Sequence, residues 1–259
     1  MIFVLIVQQV QPLPMLRSYL FTITLLIGCQ VVDAQSFAFG VKGGLTIGTQ
    51  QWGNSFERDA LFRYHGIAFI ETLPDGNDFA ILAQAGYHVK GSSIRTNFFT
   101  TAGDRRQLVT PFEFNNISLT LGGKKKYDVG RGNMRLFYMF GVRGEYTVRT
   151  NLGPQDLIED NPYLARIYPF EGFVNKFTYG ATVGGGVEVP LGDLVGMSLE
   201  FTVNPDFSNQ YNQPQIDNVI DPNPNATRPT FTIPERQIRN LTFEVTAGFR
   251  FLRIVEYID

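Results

Sequence analysis

The segment LTFEVTAGFRF, residues 241–251, alternates apolar and polar side chains with period two. Leu241, Phe243, Val245, Ala247, Phe249 and Phe251 fall on one side, and Thr242, Glu244, Thr246, Gly248 and Arg250 on the other. Successive side chains of a strand point to opposite faces, so the stretch predicts a strand with one oily and one ionic face. The same pattern predicts eight strands, near Phe37–Ile47, Leu61–Thr72, Asp78–Arg95, Pro111–Tyr127, Met134–Thr150, Lys176–Val189, Met197–Asn204 and Arg239–Leu252. No stretch keeps a 3.6-residue period long enough to predict a helix. In the second and fourth strands the parity shifts partway, as at a bulge.

The connections alternate in length. PDGN (74–77), DVGRGN (128–133) and PLGDLVG (190–196) are short and rich in turn residues. Between them come long links, roughly 48–60, 96–110, 151–175 and 205–238. An antiparallel meander with tight turns at one end and long loops at the other has this order, as outer-membrane barrels do.

An eight-stranded barrel can also be soluble, with an apolar interior, and the make-up of the polar face decides between the two. In the first strand that face carries Ala38, Gly40, Lys42, Gly44 and Thr46; in the sixth, Lys176, Thr178, Gly180, Thr182, Gly184, Gly186 and Glu188. Arg143, Glu145, Glu200, Glu244 and Arg250 extend it on other strands. Glycine weakens a water-facing strand, but in a narrow lumen it leaves room for long charged neighbours. Facing lipid, each Arg or Lys costs about 2–4 kcal/mol at the midplane, and several would consume a net stability of about 5–15 kcal/mol. The charged face is therefore expected inward, with Lys42, Arg143, Glu145, Glu188, Glu200, Glu244 and Arg250 forming a lumenal polar network, and the Phe/Leu/Val face toward lipid. The fold class expected is all-β, an eight-stranded antiparallel up-and-down transmembrane barrel. Eight strands enclose just enough space for side chains to fill, so no freely conducting pore is expected.

Composition fits this reading. Charged residues are 18 %, while Gly (26) and Phe (23) are abundant, and a net charge of −2 makes no electrostatic case for nucleic acid. Residues 1–34 read as a secretory signal, with Met15 as the true start, Arg17, an apolar run from Leu20 to Gly28, and Val32-Asp33-Ala34 before Gln35. That run is shorter than the roughly 20 residues of a membrane helix. Leu26-Ile27-Gly28-Cys29 also resembles a bacterial lipobox, which would leave Cys29 lipidated. Cys29 is the sole cysteine, so cleavage after Ala34 leaves residues 35–259 as one barrel domain without a disulfide.

FAFGVKGGLTIG (37–48), directly after an Ala-Gln signal end, and the closing LTFEVTAGFRF are similar to the PorT-type outer-membrane β-barrel proteins of Bacteroidetes. The resemblance implies an eight-stranded barrel in the outer membrane, and some members serve gliding and type IX secretion. Thr46 stands where members often have Asn, and NNISLTLGGKKKY lacks the Pro often seen in the fourth strand.

Candidate chemistry is sparse. His88 with Ser92, Ser93 and Glu71 contains the residue types of a lipid hydrolase, but His88 shares parity with Gln84, Gly86 and Lys90 and reads as lumenal filler. No nucleophile motif, metal-ligand spacing or phosphate loop accompanies it, so no catalytic residue, metal or cofactor is expected. Lys124–Lys126, before a short turn, read as solvated or snorkelling lysines. Trp52 reads as an interface anchor or as loop packing. The loop 204–236, rich in Pro and Asn, reads as an extended surface segment without a core. The partners expected are outer-membrane lipid and another envelope protein met through that loop. The functions consistent with this pattern are a non-enzymatic structural or accessory protein, a small-solute or gated channel, and a membrane-embedded lipid hydrolase.

Overall fold

A ribbon with one oily face, placed in hydrocarbon, can satisfy its backbone only by closing on itself, because no water is there to pair an open edge. The chain does close. The computed structural model describes residues 36–53, 58–73, 79–99, 104–129, 134–153, 169–221 and 228–254, and the barrel runs from Phe37 to Arg253. Its strands are β1 (Phe37–Trp52), β2 (Asp59–Thr72), β3 (Phe79–Phe99), β4 (Arg105–Asp128), β5 (Arg135–Thr150), β6 (Phe177–Pro190), β7 (Val195–Pro205), β8 (Tyr211–Gln213), β9 (Ile216–Ile220), β10 (Thr230–Ile233) and β11 (Arg236–Arg253). β1 to β7 pair antiparallel in chain order, and β11 pairs with both β7 and β1. The β1–β11 ladder is unbroken from Phe37↔Arg253 to Trp52↔Ile238, so the ring has eight strands and no free edge. Residues 1–34, expected to be a signal and containing Cys29, and the expected turn 74–77 lie outside the described residues.

Exposure separates the two faces. Val142 is 61 % exposed and its neighbour Arg143 only 3 %; Val41 is 60 % exposed and Lys42 only 7 %. Tyr64, Ile81, Leu119, Phe140, Leu199 and Phe249 also point out, and Lys90, Asn116, Thr120, Glu145, Thr202 and Glu244 point in. Small residues make the interior possible: a Cβ on Gly248 would lie 2.3 Å from the Cβ of Lys42, the residue paired with it across the ladder.

The structure departs from the sequence reading where strands leave the membrane. A tilted strand needs about 9–11 residues to cross, yet β3 has 21 and β4 has 24. Much of the links expected at 48–60 and 96–110 is therefore strand. Beyond the bilayer the outer face meets water and the inner face an apolar cap, so the apolar-out, polar-in alternation fades while the backbone ladder continues. β4 has no parity shift: Phe112 and Phe114 are buried on the same side as Asn116, Ser118 and Thr120. They belong to an apolar cap of Ile94, Phe112, Phe114, Leu152, Tyr211 and Ile238. The register slip lies in the β4–β5 ladder, where Asn115 faces Arg149 and Asn116 faces Thr147, leaving Val148 as the extra residue in β5. Lys176 is exposed and precedes β6, so it is not lumenal.

The β2–β3 ladder does slip, between Ala60 and His65. There β1 and β3 approach, and a Cβ on Gly48 would stand 2.6 Å from the Gly91 carbonyl oxygen. Gly91 itself has φ +151° and no room for a Cβ beside the Phe112 carbonyl, a conformation that favours glycine. The loop 204–236 has a core, contrary to expectation. β8 extends the sheet beside β11, β9 and β10 form a hairpin, and Phe170 and Ile233 pack with Ile216, Val219 and Phe231. These apolar residues are spaced too irregularly among the prolines to show a period.

Leu199→Arg should lower stability by about 2–4 kcal/mol in denaturant unfolding from lipid vesicles, whereas Asp193→Arg in the β6–β7 turn should change it by less than about 0.5 kcal/mol. An unchanged midpoint for Leu199→Arg would contradict the outward assignment of that face.

Candidate functional site

The lumen is filled by ion pairs in three tiers, each joining strands far apart in sequence. Nearest the tight turns, Lys124 and Lys126 of β4 reach Glu71 of β2 at 3.1 and 2.7 Å. Both also pair with Glu188 of β6, Lys126 at 3.1 Å, and Arg250 of β11 pairs with Glu188. Lys124 Nζ rests 3.9 Å from the centroid of the Phe137 ring, whose cluster with Phe69, Leu82 and Met139 lines this end.

In the middle tier Lys42 Nζ donates to both Glu200 oxygens, at 2.7 and 2.9 Å. His65 lies between the hydroxyls of Thr46 and Thr246, 2.9 Å from each. His88 Nδ1 stands 2.6 Å from Glu244 Oε1; the carboxylate accepts, so Nδ1 carries the proton. The two imidazoles are nearly parallel, with centroids 5.5 Å apart. Toward the long loops, Lys90 pairs with Glu145 at 2.8 Å and Asp206 at 3.1 Å. Arg143 pairs with the same two acids at 2.8 and 2.7 Å. A layer of amides lies above them: Gln50 donates to Asn240 at 2.8 Å, Ser92 to Gln50 at 2.7 Å, and Gln210 to Thr147 at 2.9 Å. The apolar cap closes the external end. Within it the Tyr211 hydroxyl donates to Gln213 at 2.8 Å, and burial raises its pKa to about 12.

Among the described residues, the three tiers thus set Lys42, Lys90, Lys124, Lys126, Arg143 and Arg250 against Glu71, Glu145, Glu188, Glu200, Asp206 and Glu244, six against six, while buried Arg236 lies outside them at the external end. Unpaired burial of any of them would be costly, and the balance offsets that cost. Among the residues expected in the network, Lys42 meets Glu200, Arg143 meets Glu145, and Arg250 meets Glu188, while Glu244 meets His88. Parity could have found Lys124 and Lys126, which share the register of Asn116, Ser118 and Thr120; they are buried ion-pair partners, and only Lys125 points elsewhere. Parity could have found Asp206 as well: it lies just past the end of β7, bridged antiparallel to Gly180, and keeps the inward register of Glu200, Thr202 and Asn204, but Pro205 before it makes the strand look finished. Trp52 packs in the external cap, its ring centroid 5.9 Å from that of Phe112.

Ser92 is committed to Gln50 and Glu71 to the lysines of the far tier, so the hydrolase-like set around His88 is not assembled. His65, His88 and Glu244 bring ligand atoms within 4.8 Å of one another. Both nitrogens of His65 already meet hydroxyls, and a dication would upset the charge balance beside Lys42 and Arg143. Next to His88 and Glu244 remains a void of about 10 Å³, room for about one water. At the tight-turn end a cavity of about 390 Å³, lined by Asp128, Arg135, Val195 and Leu252 among others, has the Glu188–Arg250 pair in its wall.

A family model described as outer membrane protein beta-barrel domain matches residues 33–219. The chain belongs to this outer membrane β-barrel family. Membership places the barrel in the bacterial outer membrane, with its tight turns on the periplasmic side. No curated protein matches the chain. Among solved structures the barrel is similar to Neisserial surface protein A (10 % identity, 83 % of this chain and 96 % of that one, TM-score 0.44). It is also similar to OprG from Pseudomonas aeruginosa (9 %, 84 % and 96 %, TM-score 0.45) and to the outer membrane protease OmpT from Escherichia coli (10 %, 84 % and 97 %, TM-score 0.39).

Lys42→Met should destabilise the barrel by about 3–5 kcal/mol by stranding Glu200, and the double variant Lys42→Met/Glu200→Met should recover most of that loss. Denaturant unfolding of the four proteins in a double-mutant cycle measures the coupling; additive effects would show that the pair does not act as a unit.

Proposed function

We propose that the protein is a non-enzymatic integral outer-membrane protein whose lumen is a plug and whose work is done by its external loops. It serves as a structural element of the envelope or as an accessory to a surface or secretion assembly. The observation that carries the reading is the lumen itself: three tiers of mutually paired side chains cross it, and an apolar cap lies over the outermost. An ion crossing would have to break each tier in turn and leave charges unpaired in a low dielectric. The folded loop around β8, β9 and β10 supports the second half, since an ordered external surface is where a barrel of this kind can meet another envelope protein. The likeness of the first and last strands to PorT-type proteins supports an accessory role in type IX-like secretion.

In planar bilayers the purified protein should show no sustained conductance above the lipid baseline, and stable single-channel steps would favour the gated-channel reading instead. Phospholipid vesicles should release no fatty acid beyond the blank; release that disappears in His88→Ala would favour the hydrolase. Cross-linking from residues of the β8–β10 loop in native membranes should capture a discrete envelope partner, and the absence of any adduct would leave only the structural role.

A further inference from the structure

The external mouth holds a charge that the lumen's balance does not cover. Arg58, just before β2, lays its guanidinium carbon 3.2 Å from the centroid of the Trp52 ring and 5.3 Å from that of Phe112. All three guanidinium nitrogens are shielded from solvent, and none has a hydrogen-bond partner. The cations nearby are matched: Arg63 pairs with Glu113, and Arg95 with Asp59 at 2.8 Å. Arg236, at the start of β11, adds a second guanidinium 5.4 Å from the same tryptophan ring. Stacking on an aromatic face holds a guanidinium's plane while leaving its N–H fork without an acceptor. A buried fork with no acceptor is rare in a folded protein, and its usual partner is a bidentate oxyanion.

We propose that the Arg58–Trp52–Arg236 cluster is a binding site for a phosphate monoester group presented at the cell surface. Arg58 supplies the donors, Trp52 fixes the plane of its fork, and Arg236 contributes a second positive charge. Two guanidinium charges suit a group carrying about −1.5 to −2 at neutral pH better than a single carboxylate. Burial together with Arg236 lowers the pKa of Arg58 to about 9; it stays protonated at neutral pH, and a bound dianion would raise that value again. The site stands apart from the plugged-lumen reading, because conductance would overturn that reading and leave this cluster untouched.

Trp52 is the only tryptophan, so its emission reports the site directly. The full-length protein is titrated with inorganic phosphate in detergent, with sodium chloride at equal ionic strength as control. A second arm reconstitutes it in phosphatidylcholine vesicles with and without phosphatidic acid. The expected result is a saturable change in Trp52 emission that chloride does not produce, weakened about tenfold or more in Arg58→Gln. A response to inorganic phosphate identifies a soluble phosphorylated ligand as sufficient; a response confined to phosphatidic acid assigns the group to a lipid headgroup. No saturable change in either arm overturns the proposal, and so does an equal response in Arg58→Gln. Heat-modifiable gel migration checks that each variant is folded. Should Arg58→Gln fail that check, Arg58→Lys keeps the charge without the fork and should bind several-fold more weakly; unchanged binding there overturns the proposal as well.

Discussion

An ion facing acyl chains is too costly to carry, and this constraint governs the rest of the molecule. It forces the lysines, arginines and acids within the bilayer-crossing stretch of the strands to share one narrow interior. That interior is almost as intolerant of an unmatched charge as the lipid is. Lys42 with Glu200, and Lys90 and Arg143 with Glu145 and Asp206, are the outcome. Apart from Arg143–Glu145 within β5, these pairs bridge different strands, so the network is also a set of cross-braces that opposes flattening of the barrel. The glycines follow from the same requirement: Gly248 is small because Lys42 needs the space beside it.

How much of this could be read from the chain depended on whether a residue sits where the two faces differ. Through the membrane the contrast is sharp, and Leu199, Glu200 and Phe201 reveal their sides by type alone. The eight ring strands and their order were legible for that reason. Outside the bilayer the contrast weakens. Phe112 and Phe114 looked like a change of face, although the face is constant and the lumen becomes apolar at its external end. Lys124 and Lys126 mislead for the opposite reason. A run of three lysines beside a turn suggests solvent, although the first and third keep the inward parity of Asn116 and Thr120. Asp206 keeps the inward parity of Glu200 and Thr202, yet Pro205 before it makes the strand look finished. The loop around Ile233 gives no periodic signal, since an irregular hairpin places it.

The two ends of the barrel are built on different principles. The periplasmic end is ionic, with a cavity whose wall includes the Glu188–Arg250 pair. The external end is closed by aromatic and aliphatic side chains resting on a layer of amides, and over these strands β3 and β4 rise well past the length a crossing needs.

The ladder that joins Phe37 to Arg253 has a consequence for how the molecule comes into being. β1 waits for a partner that lies at the far end of the ring in sequence, so the final closure is its most non-local pairing and belongs to the slow class of folding steps. Until β11 arrives, β1 and β7 each present an unpaired edge, and an edge in that state is a template for the wrong neighbour. The last ring strand thus acts as the clasp of the molecule. Sequence variation within it bears on the yield of completed barrels before it bears on anything the finished barrel does.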